Sequence, residues 1–416
     1  MKPKVLRPPG APRRKKLALA AAFRRRSLVA TLIRVCREHE TAVWLVGGAP
    51  RDALLDRPAL DLDVAVPSRA EAVARALAEA GFGTFVALSE EPPRVFRVAG
   101  RRILDVAELE RPTIAEDLAR RDFTANAIAV DLSTGEWVDP FGGIADIMRQ
   151  RLRLVRRENL ADDPLRTFRA ARFYATHGLV PDRAVRQACR DFGPQLEGVA
   201  PERVGAELTR LLEAPRIAPA WRFAIRTGLL SPALRPRTRP ARWRAALRVL
   251  ARLELGPVGA LSPERRRVLR LAAIADSLGL GPAETRAWLR RLRRGASEAG
   301  RVARVLEAAQ TAVAADSHAG PWAWLHDVGP EAGDALSLLA ATRPRAKPLV
   351  RRLRAALARA RRGPEVSGGD LIGWTGIAPG PEVGRLLREL RIEILSGHVR
   401  SRREARGWSE TRLRRS

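Results

Sequence analysis

Two aspartates separated by one residue, Asp61 and Asp63, are the side chains in this sequence whose spacing first suggests chemistry. The segment Leu60 to Val66 alternates aspartate with apolar residues, as a half-buried strand does. That alternation turns Asp61 and Asp63 to one face and Leu62 and Val64 to the other. Two carboxylates so close repel each other unless a cation lies between them. The pair suits one or two Mg²⁺ ions, which lower the pKa of an attacking hydroxyl and offset charge on a transferring phosphoryl group. An Asp-x-Asp in an exposed turn has the same composition, so the surroundings decide between the two.

Just upstream runs Leu45-Val46-Gly47-Gly48-Ala49-Pro50-Arg51-Asp52, a short strand entering a double glycine and then a helix with Pro50 in its first turn. Gly47 and Gly48 would let backbone N–H groups approach a phosphate at a helix N-terminus, although a plain tight turn reads the same way. A third carboxylate, Asp105, sits in the apolar run Ile103 to Ala107, where an unpaired charge is costly. Sharing a metal with Asp61 and Asp63 would remove that cost. Farther on, Asp117, Arg120, Arg121, Asp122 and Asn126 crowd into one stretch. Its arginines could grip triphosphate oxygens in bidentate fashion and Asn126 could meet a ribose hydroxyl, with a solvated charge run as the plainer alternative. Asp163 and Pro164 open a predicted helix on which Arg166, Arg169 and Arg172 share a sector able to face a nucleotide.

The elements that must hold these residues are mixed at first and then helical. The spacing predicts a helix over 27–40, a strand over 42–46 and a second helix opened by a Ser68–Glu71 capping box and closed by Gly81. Hairpins are expected around Ala99-Gly100-Arg101 and around 133–136. From Pro164 onward Ala, Leu and Arg recur at helical spacing with almost no strand pattern. The fold class expected is therefore α+β, a head with a small mixed sheet followed by all-helical segments. Its expected division is a basic flexible arm over 1–27, the head over 28–155, a helical neck over 156–232, a helical body over 233–362 and a helical tail over 363–416.

The 76 basic residues against 46 acidic ones, net +30, point to a polyanionic partner, with nucleic acid first. An Arg-rich genome composition explains the preference for Arg over Lys but not the excess of positive charge. Cys36 and Cys189 stand far apart, which disfavours a disulfide framework or zinc knuckle, and no apolar run is long enough for a membrane span. A cytoplasmic protein is expected. The basic runs 265–267, 290–294 and 351–362 read partly as solvated helix faces and partly as phosphate contacts, and Trp288 and Trp374 as core residues before stacking platforms.

Taken in order, these clusters resemble the class II CCA-adding enzymes and bacterial poly(A) polymerases, a branch of the polymerase β-like nucleotidyltransferases. Gly47 to Asp52 followed by Asp61-Leu62-Asp63 is similar to the family's first motif, Arg120-Arg121-Asp122 through Asn126 to its ribose-recognising motif, and Asp162-Asp163-Pro164-Leu165-Arg166 to its amino-acid template. The resemblance implies that Asp61 and Asp63 carry Mg²⁺, that Asp105 helps activate an RNA 3′-hydroxyl, and that Asp163 and Arg166 select the incoming base. It implies a tRNA partner with CTP and ATP as substrates, and the tail segments 366–372 and 376–384 favour tRNA over generic RNA. Pro50 replaces the usual Val, and Asp162 the usual Glu. Only residues 106–116 separate Asp105 from Asp117, where full CCA-adding members carry a longer loop, so addition of CC alone is expected ahead of complete CCA. Poly(A) polymerase activity and a non-catalytic RNA-binding role on the same head are the competing functions.

Overall fold

The computed structural model describes Leu19 and residues 27–58, 61–234, 239–313, 320–360 and 363–414. The expected arm over 1–27 lies outside the described residues apart from Leu19 and Ser27. The chain divides into two compact units, 1–207 with 223–235 and 208–222 with 236–416.

The first unit begins with α1 (Ser27–Glu38), β1 (Trp44–Val46), α2 (Gly48–Leu54), β2 (Leu62–Val66) and α3 (Ala70–Glu79). Next come β3 (Thr84–Ser89), β4 (Val95–Ala99), β5 (Ile103–Glu108), α4 (Ile114–Leu118), β6 (Ala129–Asp131) and β7 (Trp137–Val138). Seven strands form one sheet in the order β3-β4-β5-β2-β1-β6-β7, in which β2 and β5 are parallel and the other neighbours antiparallel. Strand alternation splits it into two faces. Leu45, Leu62, Val64, Phe96, Leu104 and Val106 bury one face against Leu32 and Val35 of α1 and Val73 and Leu77 of α3; Leu19 packs on this core. Asp63 and Asp105 stand on the other face, beside a smaller cluster of Val46, Ala65, Leu118, Ala127 and Ala129.

Both expected hairpins are present, as β4–β5 and β6–β7. The expected Ser68–Glu71 capping box is not. Arg69, left-handed at φ 64°, precedes α3 without a side-chain cap, the Ala70 amide donates instead to Glu108 Oε1 at 3.3 Å, and Glu71 pairs with Arg75 one turn on. The cap comes from the neighbouring strand, a tertiary contact that local sequence cannot announce. The edge strand β3 carries no strict alternation and was not among the expected elements.

Helices follow: α5 (Gly143–Met148), then, after the two-residue β8 (Arg151–Leu152), α6 (Glu158–Asp162) and α7 (Leu165–His177). A second two-residue strand, β9 (Val180–Pro181), pairs with β8 ahead of α8 (Arg183–Phe192). In the second unit every described element is helical, and many helices open on proline at the first or second position, as Pro240–Glu254, Pro263–Leu278 and Pro381–Ser396 do. Ser367 and Asp370 form a capping box at the head of the helix Gly368–Thr375, and Gly376 closes it in the left-handed conformation. Part of the positive charge here is structural. Arg270 is fully buried and donates to the carbonyls of Leu212, Ala214 and Pro215, while Arg267 bridges Glu213 and Glu298 and Arg265 pairs with Asp334. Trp288 is core; Trp374 is half-buried with the Arg402 guanidinium 5.5 Å from its ring centre.

Candidate active site

The sheet assembles the acidic cluster by register. Asp63 of β2 lies directly beside Asp105 of β5, and Asp61 precedes β2 by one residue, exposed as the alternation requires. Val46, the last residue of β1, pairs with Asp63, so the turn that follows β1 begins next to that carboxylate. Gly47 turns the chain there at φ 71°, and a Cβ on it would come within 2.7 Å of Asp63 Oδ2, so backbone conformation and space both require glycine. The Gly48 amide hydrogen-bonds Asp63 rather than standing open.

Asp63 is accessible to solvent yet set low among packed atoms. That crowding, then the charges of Asp105 and Asp61, push its pKa up. A carboxylate whose ionisation its surroundings oppose, as Asp63's is, is one a cation would relieve, and hard carboxylate oxygens match Mg²⁺. Asp61 and Asp63 thus fit a divalent ion. Asp105 differs from expectation: its charge is already compensated, because Arg97 Nε and Nη2 donate to its two oxygens at 2.7 and 2.8 Å. Among the described residues no group of three His, Cys, Asp or Glu side chains is arranged to hold a metal ion.

Beside the carboxylates on the same face, Ala65 and Ala107 help floor a cleft of about 220 Å³ whose walls include Glu110, Asp117, Arg120, Arg121 and Arg166. Four of the residues expected to meet a nucleotide are thereby brought together. Arg120 pairs with Glu110, and Arg121 lies 3.4 Å from Asp117. Arg166 donates to the carbonyls of Arg120 and Asn159, both at 2.9 Å, and its Nε lies 3.9 Å from Asp163. Asp163 also accepts from the Leu165 amide at 3.2 Å and from Arg203 at 2.8 Å; Pro164, not Asp163, is the residue that precedes α7, which carries no side-chain cap.

The remaining predicted residues form a buried polar network. Arg51 donates to Asp52 at 2.9 Å and to Asn126 Oδ1 at 2.6 Å; Asn126 Nδ2 donates to Asp122 at 2.8 Å. Asp122 also accepts from the Phe123 amide at 2.8 Å and pairs with Arg169 at 2.8 Å, an ion pair without an aligned hydrogen bond. Cationic neighbours, Arg169 foremost, outweigh burial and hold Asp122 below the usual carboxylate range. Arg51 and Asn126 therefore spend donors and acceptors inside the protein. Arg172 corrects the expectation of a guanidinium row open to a nucleotide: it is buried, stacked 4.0 Å over Phe173 and paired with Glu207. The sector of α7 that helical spacing defines is real, but acidic groups cover its far end.

Sequence reasoning missed Arg97, Asn159 and His177. A turn at Ala99–Gly100–Arg101 would set Arg97 opposite Ile103; the observed turn lies one residue later, with Ala99 opposite Ile103, and that shift brings Arg97 opposite Asp105. Asn159 holds the stretch 119–121 by donating to the carbonyls of Ala119 and Arg121 at 2.9 and 2.7 Å. His177 packs on Phe173 with Nε2 3.3 Å from Asp52, and burial pushes it down to about 4. The folded protein keeps this histidine neutral well below 6.5, where the unfolded chain takes up a proton, so stability is full above about 6.5 and declines as the pH falls toward 4. Thermal melting should show a drop in midpoint between about pH 7 and about pH 4.5 that is smaller in His177→Gln. Equal drops in both proteins would refute this assignment.

A mixed sheet with carboxylates on adjacent strands beside a glycine turn, backed by a cleft of arginines, defines a nucleotidyltransferase head. Two family models match accordingly, Poly A polymerase head domain over residues 43–153 and Probable RNA and SrmB- binding site of polymerase A over 178–240. The chain belongs to the CCA-adding enzyme family: it is 31% identical over 382 residues to the CCA-adding enzyme of Streptococcus gordonii, covering 87% of this chain and 91% of that one. It is 41% identical over 187 residues to the CC-adding tRNA nucleotidyltransferase of Synechocystis sp., an alignment covering 44% of this chain; the chain spans about 45% of that relative's length. The crystal structure of the Bacillus stearothermophilus CCA-adding enzyme in complex with CTP superimposes with a TM-score of 0.71 at 26% identity, over 94% of this chain and 98% of that one. No helix among the described residues is long and apolar enough to cross a membrane.

Proposed function

We propose that this chain transfers CMP from CTP to the 3′ end of a tRNA without a nucleic-acid template, with Mg²⁺ as its cation, and that it stops after two cytidines. The observation that carries the transfer chemistry is the placement of Asp63 and Asp105 side by side in the sheet, with Asp61 and the Gly47–Gly48 turn against them. Asp61 and Asp63 would hold the ion. Its contribution when bound is to acidify the attacking hydroxyl and offset charge at the α-phosphate. Arg120 and Arg121, on the cleft wall, would meet triphosphate oxygens, and Asp163 and Arg166, near the start of α7, would offer an acceptor and a donor to the edge of a base. The buried Asp122–Asn126–Arg51 chain holds that wall rigid, so catalysis rests on positioning and fixed charge. Members of the family named for CTP, ATP or tRNA and the strongly basic chain support this reading, and a tRNA substrate fits a cytoplasmic location.

The limit at CC rests on the link after Asp105. Only residues 109–113 join β5 to α4, and Thr113 with Glu116 closes a capping box, so the link has no spare length to rearrange between nucleotides. With CTP and ATP both supplied to tRNA lacking its CCA end, sequencing of the products should show CC termini. Complete CCA termini at the same enzyme concentration would show that the short link does not restrict addition.

A further inference from the structure

Arg97 stands in the acidic row without a role in the reading above. It projects from β4 on the carboxylate face because β4 pairs with β5 in the register Arg97 to Asp105, and β5 pairs with β2 in the register Asp105 to Asp63. The order across the sheet is therefore Arg97, Asp105, Asp63. The guanidinium fork takes both oxygens of Asp105, at 2.7 and 2.8 Å, and leaves neither carboxylate oxygen without a cationic partner. Its side chain is 35% exposed and that of Asp105 22%, so the pair is open to solvent and to exchange with it. The charges of Asp61 and Asp63 act on the same guanidinium.

We propose that Arg97 is a positioning residue that competes with a divalent cation for Asp105. With the fork engaged, a cation meets Asp61 and Asp63 alone. Drawing Asp105 into the cation's coordination requires the fork to let go, so Arg97 sets how tightly the empty head takes up metal. A pair of this kind, a solvent-accessible guanidinium on a carboxylate beside two other carboxylates, offsets charge in the acidic row before substrate arrives and yields to a doubly charged ion when one is captured. The purpose of that capture rests on the nucleotidyltransferase reading; the competition itself does not.

The test is Mn²⁺ binding to the full-length protein with neither nucleotide nor RNA present, followed by the electron paramagnetic resonance signal of free Mn²⁺. Arg97→Gln removes the competing charge next to three carboxylates and should tighten Mn²⁺ binding on the order of tenfold. Adding Asp105→Asn in the same chain should return most of that gain, and Arg97→Lys, which keeps the charge but loses the two-point grip, should fall between Arg97→Gln and the unaltered protein. Unchanged or weaker Mn²⁺ binding in Arg97→Gln, or a gain that survives Asp105→Asn, overturns the proposal. CTP incorporation measured on the same proteins separates the two readings: Mn²⁺ affinities that shift as stated without any incorporation would sink the proposed function and leave the role of Arg97 standing.

Discussion

Asp63→Ala is expected to lower CMP incorporation into tRNA by at least about a thousandfold while leaving the protein folded. The ion that Asp61 and Asp63 would share supplies several kcal/mol of charge stabilisation, and about 4 kcal/mol corresponds to three powers of ten in rate. Folding should not suffer. Packing around Asp63, then the neighbouring Asp105 and Asp61 charges, raise its pKa and so disfavour the ionised form it takes at neutral pH. Removing the side chain removes that penalty, and the midpoint of thermal unfolding at neutral pH should hold or rise. Kinetics of single nucleotide addition and a melting curve on the same sample check both halves. Retained activity in Asp63→Ala would mean that the carboxylates are not the reacting centre, and a non-catalytic RNA-binding head would become the better description.

The second large effect concerns stability. Asp122 is buried at 4% exposure, and its carboxylate is the acceptor for the Phe123 amide and Asn126 and the counter-ion for Arg169. Alanine there takes the counter-ion from Arg169, whose side chain is 34% exposed, and frees the Asn126 amide that Arg51 leans on, a loss of about 2–3 kcal/mol for buried polar groups left without their charged partner. Asp122→Asn keeps the shape and one hydrogen-bond acceptor but not the charge, so it should lose less. Calorimetry should show the transition of the first unit moving down markedly in Asp122→Ala and to a smaller extent in Asp122→Asn. A cost below about 1 kcal/mol for the alanine variant would mean that the network is not what holds the cleft wall, since surface pairs are worth that little.

Much of the site could be read from the chain because strand and helix periodicity are local. Alternation in residues 61–66 put Asp61 and Asp63 on one face, and the apolar strand around Asp105 demanded a compensating partner. What local pattern could not supply was the identity of partners brought in by tertiary pairing. The partner of Asp105 is Arg97, eight residues earlier but opposite it in a hairpin; the cap of α3 is Glu108 on the strand behind it, not Ser68; and Arg172 faces Glu207, which no spacing within α7 reveals. The basic runs were ambiguous for the same reason. Arg265 and Arg267 of the run 265–267, like Arg270 beyond it, pair with acids or carbonyls on other helices, so arginines that read as a solvated face in sequence are partly taken up inside the protein.

The activity proposed for these carboxylates is transfer of a cytidylate to tRNA. Its most direct measurement is incorporation of labelled CTP, supplied alone, into tRNA that lacks its CCA end, alongside a generic RNA given ATP. Two cytidylates on the tRNA and no extended tract on the generic RNA are expected. No CTP incorporation, or long adenylate tracts on the generic RNA, would contradict it.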